Sequence, residues 1–342
     1  MPRFDPGRIL TCRVQDPVGP GPRLSASSAP PADTTAVFSM NPTRRQFLAA
    51  GLAVAPIAAL AQGTAPAATP AAKATAIPTS GGFAKTGRIQ LGLVTYNLAK
   101  DWDIATILTN CSKTGFQGVE LRTTHKHGVE VSLSTTERAE VKRRFADSPV
   151  ELYSLGSAFD YHTPDASRLR ADIEATKQYL QLAHDVGASG IKVRPNGLPK
   201  EVPEEKTLEQ IGRSLRELGE TAAGLGQQVR LEVHGTATSS LPRIRRMMDV
   251  AHHRSVGVCW NSNQSDLEGA GFDANFDLVR DRIIEVHLRD LFLAEYPFRR
   301  LFTRLTEIGY SGYTLAEIPE STDPIRVMHY FRGMWLAHQG LI

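Results

Sequence analysis

Cysteine is scarce in this 342-residue chain. Cys12, Cys111 and Cys259 are the only three, too few for a disulfide framework. Cys111 and Cys259 fall inside apolar segments, where buried thiols are expected. Long hydrophobic runs are missing too: the most apolar stretch, 49–60, falls short of the roughly 18–20 residues that a spanning helix needs. A charge excess is missing once the chain is divided. Residues 1–61 hold six Arg against three acidic residues, which leaves 33 basic and 33 acidic residues in 62–342. A neutral domain lacks the electrostatic footprint of a nucleic-acid partner. Finally, no Gly-rich phosphate turn follows the first β-rich run, where YNLAKD (96–101) stands instead. That weighs against the alternative of an open doubly wound sheet.

What is present begins with an export signal. Thr43-Arg44-Arg45-Gln46-Phe47-Leu48 reads as a twin-arginine motif, followed by the apolar run and the small-residue site Ala59-Leu60-Ala61. Residues 40–61 are therefore expected to be a twin-arginine signal peptide. That implies the twin-arginine export machinery as a partner, a periplasmic or otherwise exported location, and no stable membrane insertion after cleavage. No Cys follows the run, so lipid anchoring is unsupported. Met40 stands four residues before Arg44, a normal place for translation to begin. Residues 1–39, with scattered Pro, Gly and Ser, are expected to be an over-long start or disordered. Residues 62–87, rich in Ala, Pro and Thr, read as a flexible linker, and 88–342 as the folded domain.

From residue 88 onward, β-rich runs alternate with helical ones eight times. The runs 89–98, 118–124, 150–159, 190–197, 229–232, 256–261, 283–287 and 313–317 are mostly Val, Ile and Leu without strict alternation. Parallel strands buried on both faces have that composition. Between and after them lie helical stretches, among them one from Ser134 with a capping-box Glu137, and 241–252 with Leu241, Ile244, Met248 and Ala251 on one face. Eight such units in about 250 residues predict a (β/α)₈ TIM barrel, in which active sites sit at the carboxyl ends of the strands.

Polar residues crowd those ends. Glu232, Asn261, His287 and Glu317 close the last four strands at separations of 29, 26 and 30 residues. A strand–helix–strand unit spans about 30 residues, so the four are expected to project from one rim. Two carboxylates, an imidazole and an amide carbonyl describe a cation site with oxygen and nitrogen ligands. Lys192 and Arg194 end the fourth strand two residues apart, His234 follows Glu232 by two, and Arg289 follows His287 by two. Each is a candidate substrate contact, with salt bridging or loop packing as the alternative. His125, His127, His162 and Trp260 are open between the same rim and ordinary surface or core roles.

At these residues the sequence resembles the xylose-isomerase-like barrel superfamily, the sugar isomerase/epimerase group that also contains endonuclease IV-type proteins. The segments that carry the likeness are GFQGVELR (115–122), LEVHG (231–235), VGVCWNSN (256–263), VHLRD (286–290) and GYSGYTLAEI (309–318). The resemblance implies one divalent metal, Mn²⁺ favoured with Mg²⁺, Co²⁺ or Zn²⁺ also compatible. Its ligands by position are Glu232, Asn261, His287 and Glu317. Two departures stand out. Asn261 occupies the place of the usual Asp, and Gln264 that of a His found in many epimerases; Gln264 is carried as a further substrate contact. An amide carbonyl can ligate a hard cation but brings no charge, so metal should bind more weakly.

Such a site removes a proton from a carbon next to a carbonyl. The metal stabilises the enediolate, and Glu232 and Glu317 are the general acid/base pair. The expected substrate is a small unphosphorylated keto sugar or related polyol, because phosphorylated sugars are mostly cytoplasmic. Two alternatives remain open: a lyase on an oxidised glycoside using the same site, and a sugar-binding barrel without catalysis.

Overall fold

The computed structural model describes residues 89–342. The expectations for 1–39, the twin-arginine segment 40–61 and the linker 62–87 lie outside the described residues. Element order is β1 (Gln90–Val94), α1 (Ile104–Thr114), β2 (Gly118–Arg122), α2 (Thr135–Ala146), β3 (Glu151–Asp160), α3 (Ala166–Val186), β4 (Gly190–Arg194) and α4 (Glu204–Gly224). It continues through β5 (Gln228–Glu232), α5 (Leu241–Ala251), β6 (Val256–Asn261), α6 (Phe272–Val279), β7 (Ile283–Leu288), α7 (Phe298–Glu307), β8 (Tyr313–Ala316) and α8 (Pro324–His338), with a 3₁₀ turn at Gln264–Leu267. All eight strands pair in parallel with their sequence neighbours, and β8 closes on β1. This is the expected (β/α)₈ barrel.

Local chemistry sets the helix ends. Ser134 Oγ accepts from the Glu137 N–H while Glu137 Oε2 accepts from the Ser134 N–H, the reciprocal capping box that the sequence announces. Such a cap is worth about 1 kcal/mol. Helix α1 ends at Gly115 with φ 78°, a left-handed conformation that glycine adopts without a Cβ penalty. On α5 the buried residues are Leu241, Ile244, Met247, Met248 and Ala251, the face read from the sequence plus one neighbour. Cys111 and Cys259 are buried free thiols, as expected.

The main apolar core lies between the strands and the helices. The barrel interior is different. It holds a small apolar cluster of Val94, Tyr153, Tyr313 and Leu315. Beside it Glu120, Lys192, Arg230, Glu232, Glu285 and His287 are all 3% exposed or less. Barrel interiors are dominated by branched apolar residues, and buried charges persist only when paired. So much charge inside this one is the first structural sign of chemistry.

Candidate active site

Strand period 2 explains the arrangement. Glu232 and Asn261 are the last residues of β5 and β6, His287 is the last but one of β7, and Glu317 follows β8 directly, its N–H donating to Leu288 O at 2.8 Å. Residues two positions earlier point the same way one layer deeper. Cys259 lies below Asn261, Glu285 below His287 and Arg230 below Glu232. That lower layer has its own lock. Arg230 stacks over the Tyr153 ring at 4.2 Å and donates to Ser189 Oγ at 2.6 Å, with Glu285 Oε1 3.9 Å from Nη1. Burial and the nearby Glu120 carboxylate push the Glu285 carboxyl up to about 7.

The four predicted ligands converge. His287 Nδ1 is 3.7 Å from Glu232 Oε1 and 3.6 Å from Glu317 Oε2. Asn261 Nδ2 donates to Glu232 Oε1 at 3.1 Å, and Lys192 Nζ donates to Glu232 Oε2 at 2.7 Å. Burial alone would raise the Glu232 carboxyl, but the Lys192 ammonium and His287 hold it well below the usual carboxylate range. On its far side His287 Nε2 faces Glu120 Oε2 at 3.6 Å. Burial opposes a charge on His287, yet its affinity for a proton is well above the ordinary value. Burial keeps the Cys259 thiol protonated. With the thiol neutral, the carboxylates of Glu120, Glu232 and Glu317, each within 3.7 Å of a ring nitrogen, are what favour a charge on this imidazole. Glu120 has room because Gly156 stands opposite: a Cβ there would collide with Glu120 Oε1.

Unsatisfied atoms test the metal reading. Asn261 Oδ1, both His287 ring nitrogens and both Glu120 carboxylate oxygens are buried without a hydrogen-bond partner. Buried polar groups left so cost free energy, and here they cluster on one point. One donor atom each from Glu232, His287 and Glu317 lies within 4.8 Å of the others. Ligands at about 2.0–2.6 Å from one cation are separated by no more than about 5 Å. A half-turn of the Asn261 amide exchanges its nitrogen for oxygen as a fourth donor. The donor set fits a divalent cation. Glu120 then supplies the acceptor that metal-bound histidines usually find for their second nitrogen.

A cavity of about 290 Å³ opens above this point. Glu232, Glu317, Asn261, Lys192, Arg194, His234 and Arg289 line it, and His287 is buried directly beneath. Gln264 does not join them. The loop after β6 turns at once into the 3₁₀ segment, and the Asn263–Asp266 capping box leaves Gln264 exposed. Asn263 lines the cavity in its place, its Nδ2 donating to Val233 O. Tyr96 and Arg122 also face the cavity, with the Arg122 guanidinium 4.8 Å from the Tyr96 ring centroid. His125 and His127 support the β2 loop through Thr95 Oγ1 and the Arg122 carbonyl, and His162 pairs with Asp160 outside this cavity. Trp260 is core, donating to Tyr296 Oη at 2.9 Å.

Asp266 anchors the loop that carries Asn263. Its Oδ2 accepts from Tyr296 Oη at 2.6 Å and from the Asn263 N–H at 3.0 Å. Burial pushes its carboxyl up to about 8. The folded state thus holds this proton more tightly than the unfolded chain does. Its contribution to stability is full below the ordinary carboxyl pKa and is lost as pH rises through about 8. Asp266→Asn, neutral at every pH, should flatten that decline. Urea midpoints of both proteins between pH 4 and pH 8.5 check it, and parallel curves would refute the assignment.

Residues 108–332 match the model of the xylose isomerase-like TIM barrel family, and the chain belongs to that family. A search of the curated proteins finds no match. Among solved structures the chain is similar to the 3-keto-D-glucoside 4-epimerase YcjR of E. coli, with TM-score 0.61 and 20% identity over 73% of this chain and 99% of that one. An L-ribulose 3-epimerase aligns with TM-score 0.64 and 16% identity, over 74% and 95%. The IOLI protein, whose structure holds a zinc atom, aligns with TM-score 0.64 and 14% identity, over 74% and 98%. At these identities the likeness establishes the fold.

Proposed function

We propose that this chain is an exported sugar isomerase or epimerase that moves a proton at the carbon beside a carbonyl. The observation that carries the reading is the pair of carboxylates on either side of one point, Glu232 and Glu317, each within 3.7 Å of His287 Nδ1. One carboxylate removes the proton and the other returns it, on the opposite face for epimerisation or at the neighbouring carbon for isomerisation. The sugar epimerases among the structural neighbours support this class, as the zinc of the IOLI protein supports a metal.

The cation would be held by Glu232, Asn261, His287 and Glu317, with Mn²⁺ favoured for an oxygen-rich donor set. When bound it polarises the carbonyl and stabilises the enediolate. The protein's own groups do the rest. Lys192 keeps Glu232 ionised as a base, Glu120 fixes the His287 ring, and the cavity wall orients the substrate. A lyase would share the first proton abstraction and end in β-elimination. Deuterium incorporation from ²H₂O into keto sugars, read by mass spectrometry with Mn²⁺ supplied, tests the proton transfer. No incorporation into any ketose, alongside tight sugar binding, would leave a binding barrel instead.

Asn261→Asp adds a formal charge to the donor set. Mn²⁺ affinity, measured by calorimetry, should rise on the order of tenfold or more. Unchanged affinity means that Asn261 is not a ligand. Export follows from Arg44 and Arg45; replacing both with Lys should retain the chain in the cytoplasm on cell fractionation.

A further inference from the structure

The mouth of the cavity carries more positive charge than a neutral sugar can use. Arg122 from β2, Arg194 from β4 and Arg289 just past β7 all line it, together with Lys192. Lys192 is matched by Glu232 at 2.7 Å, which leaves Glu317 as the remaining carboxylate of the lining against three guanidinium groups. Arg194 reaches only to 4.0 Å from Glu232. None of the three guanidinium groups donates a hydrogen bond within the protein among the described residues, and the buried Nε atoms of Arg194 and Arg289 have no partner. A guanidinium carries five donors, and all three of these groups line the open cavity. Arg143, Arg243 and Arg300 on the surface, by contrast, each pair closely with carboxylates. Burial and the like charge of Arg194 act to lower the pKa of Arg122, and the weaker pull of Glu317 and Glu232 does not offset them.

We infer that the substrate is a sugar acid, its carboxylate held by Arg122, Arg194 and Arg289 and its carbonyl end turned toward Glu232, His287 and Glu317. This rests on the proposed function, in that the same cavity must be the substrate site. Planar guanidinium forks match a carboxylate in two-point contact. Phosphate sites in this fold use the loops after β7 and β8 with a helix N-terminus. Here neither loop contains glycine, and 317–323 carries Glu317, Glu320 and Asp323, which repel phosphate. Asn261 belongs to the same logic. Its missing charge leaves the site more positive for an anionic ligand.

The test is calorimetric titration of the full chain, in buffer with fixed Mn²⁺, by D-fructuronate, a keto acid whose carboxylate lies at the far end from its carbonyl, by D-fructose and by D-fructose 6-phosphate. The keto acid should bind tighter than fructose by about tenfold or more, the usual scale of a charge-assisted contact. That preference should shrink as salt rises. Arg194→Gln and Arg289→Gln should each pull the acid-over-fructose ratio toward one. Both should unfold close to the wild-type temperature, because their guanidinium groups make no internal hydrogen bonds. Equal binding of acid and fructose overturns the inference. So does fructose 6-phosphate binding tighter than the acid with the same arginine dependence. The reaction is scored separately by deuterium exchange: an acid that binds through the arginines supports the inference whether or not its proton exchanges.

Discussion

Glu232→Gln is expected to slow proton exchange between solvent and a keto substrate by about 10²–10⁴-fold, the range for loss of a positioned general base. The physical case is specific to this carboxylate. Its Oε2 receives the Lys192 ammonium at 2.7 Å and its Oε1 the Asn261 amide at 3.1 Å. The Lys192 ammonium and His287 keep it ionised although it is only 2% exposed, so it is in its basic form at neutral pH. Glutamine keeps the shape and one acceptor but cannot take a proton. Glu317→Gln should show a loss of similar size, since epimerisation needs a partner on the other face. Single-turnover exchange in ²H₂O separates the two roles. If both variants exchange as fast as the parent, neither carboxylate is the base and the proton-transfer reading fails.

Much of this was legible in the sequence because a barrel imposes two strong periodicities. The alternation of β-rich and helical runs fixed eight units, and Asn261 and Glu232 sit on the last residues of their strands as their spacing implied. The interior charges were less visible, although a signal existed. Arg230, Glu285 and Glu120 each stand two residues before a strand-end polar residue, hence on the same face one layer down. Reading only strand ends missed Arg230 and Glu285. The β6 loop was not legible at all. Whether Asn263 or Gln264 turns inward depends on a 3₁₀ turn held by Asp266 and Tyr296, and Tyr296 is 30 residues away in sequence. Strand ends also shift the reading slightly: β8 stops at Ala316, so Glu317 is aimed by the loop's hydrogen bond to Leu288 rather than by the strand.

Lys192→Met is expected to destabilise the fold by about 3–5 kcal/mol at neutral pH, the usual cost of removing one partner from a buried ion pair. The lysine side chain is 4% exposed and that of Glu232 2%, so water cannot replace the lost ammonium. The pH dependence follows from the depressed Glu232 carboxyl. Its ionised form stabilises the fold above the ordinary carboxyl pKa, and that contribution disappears as pH falls through the lower folded value. The deficit of the variant should therefore be largest at pH 7 and shrink as acid protonates Glu232. Mn²⁺ supplies the second half of the test. With the ammonium gone, a cation held by Glu232, His287 and Glu317 is the remaining source of positive charge for that carboxylate. Saturating Mn²⁺ should then raise the melting temperature of Lys192→Met more than that of the parent, because ligand that binds only the folded state stabilises it by an amount that grows with the logarithm of its affinity. Equal shifts in both proteins would mean that Glu232 does not share its charge between lysine and metal. A shift in neither would remove the metal from the site.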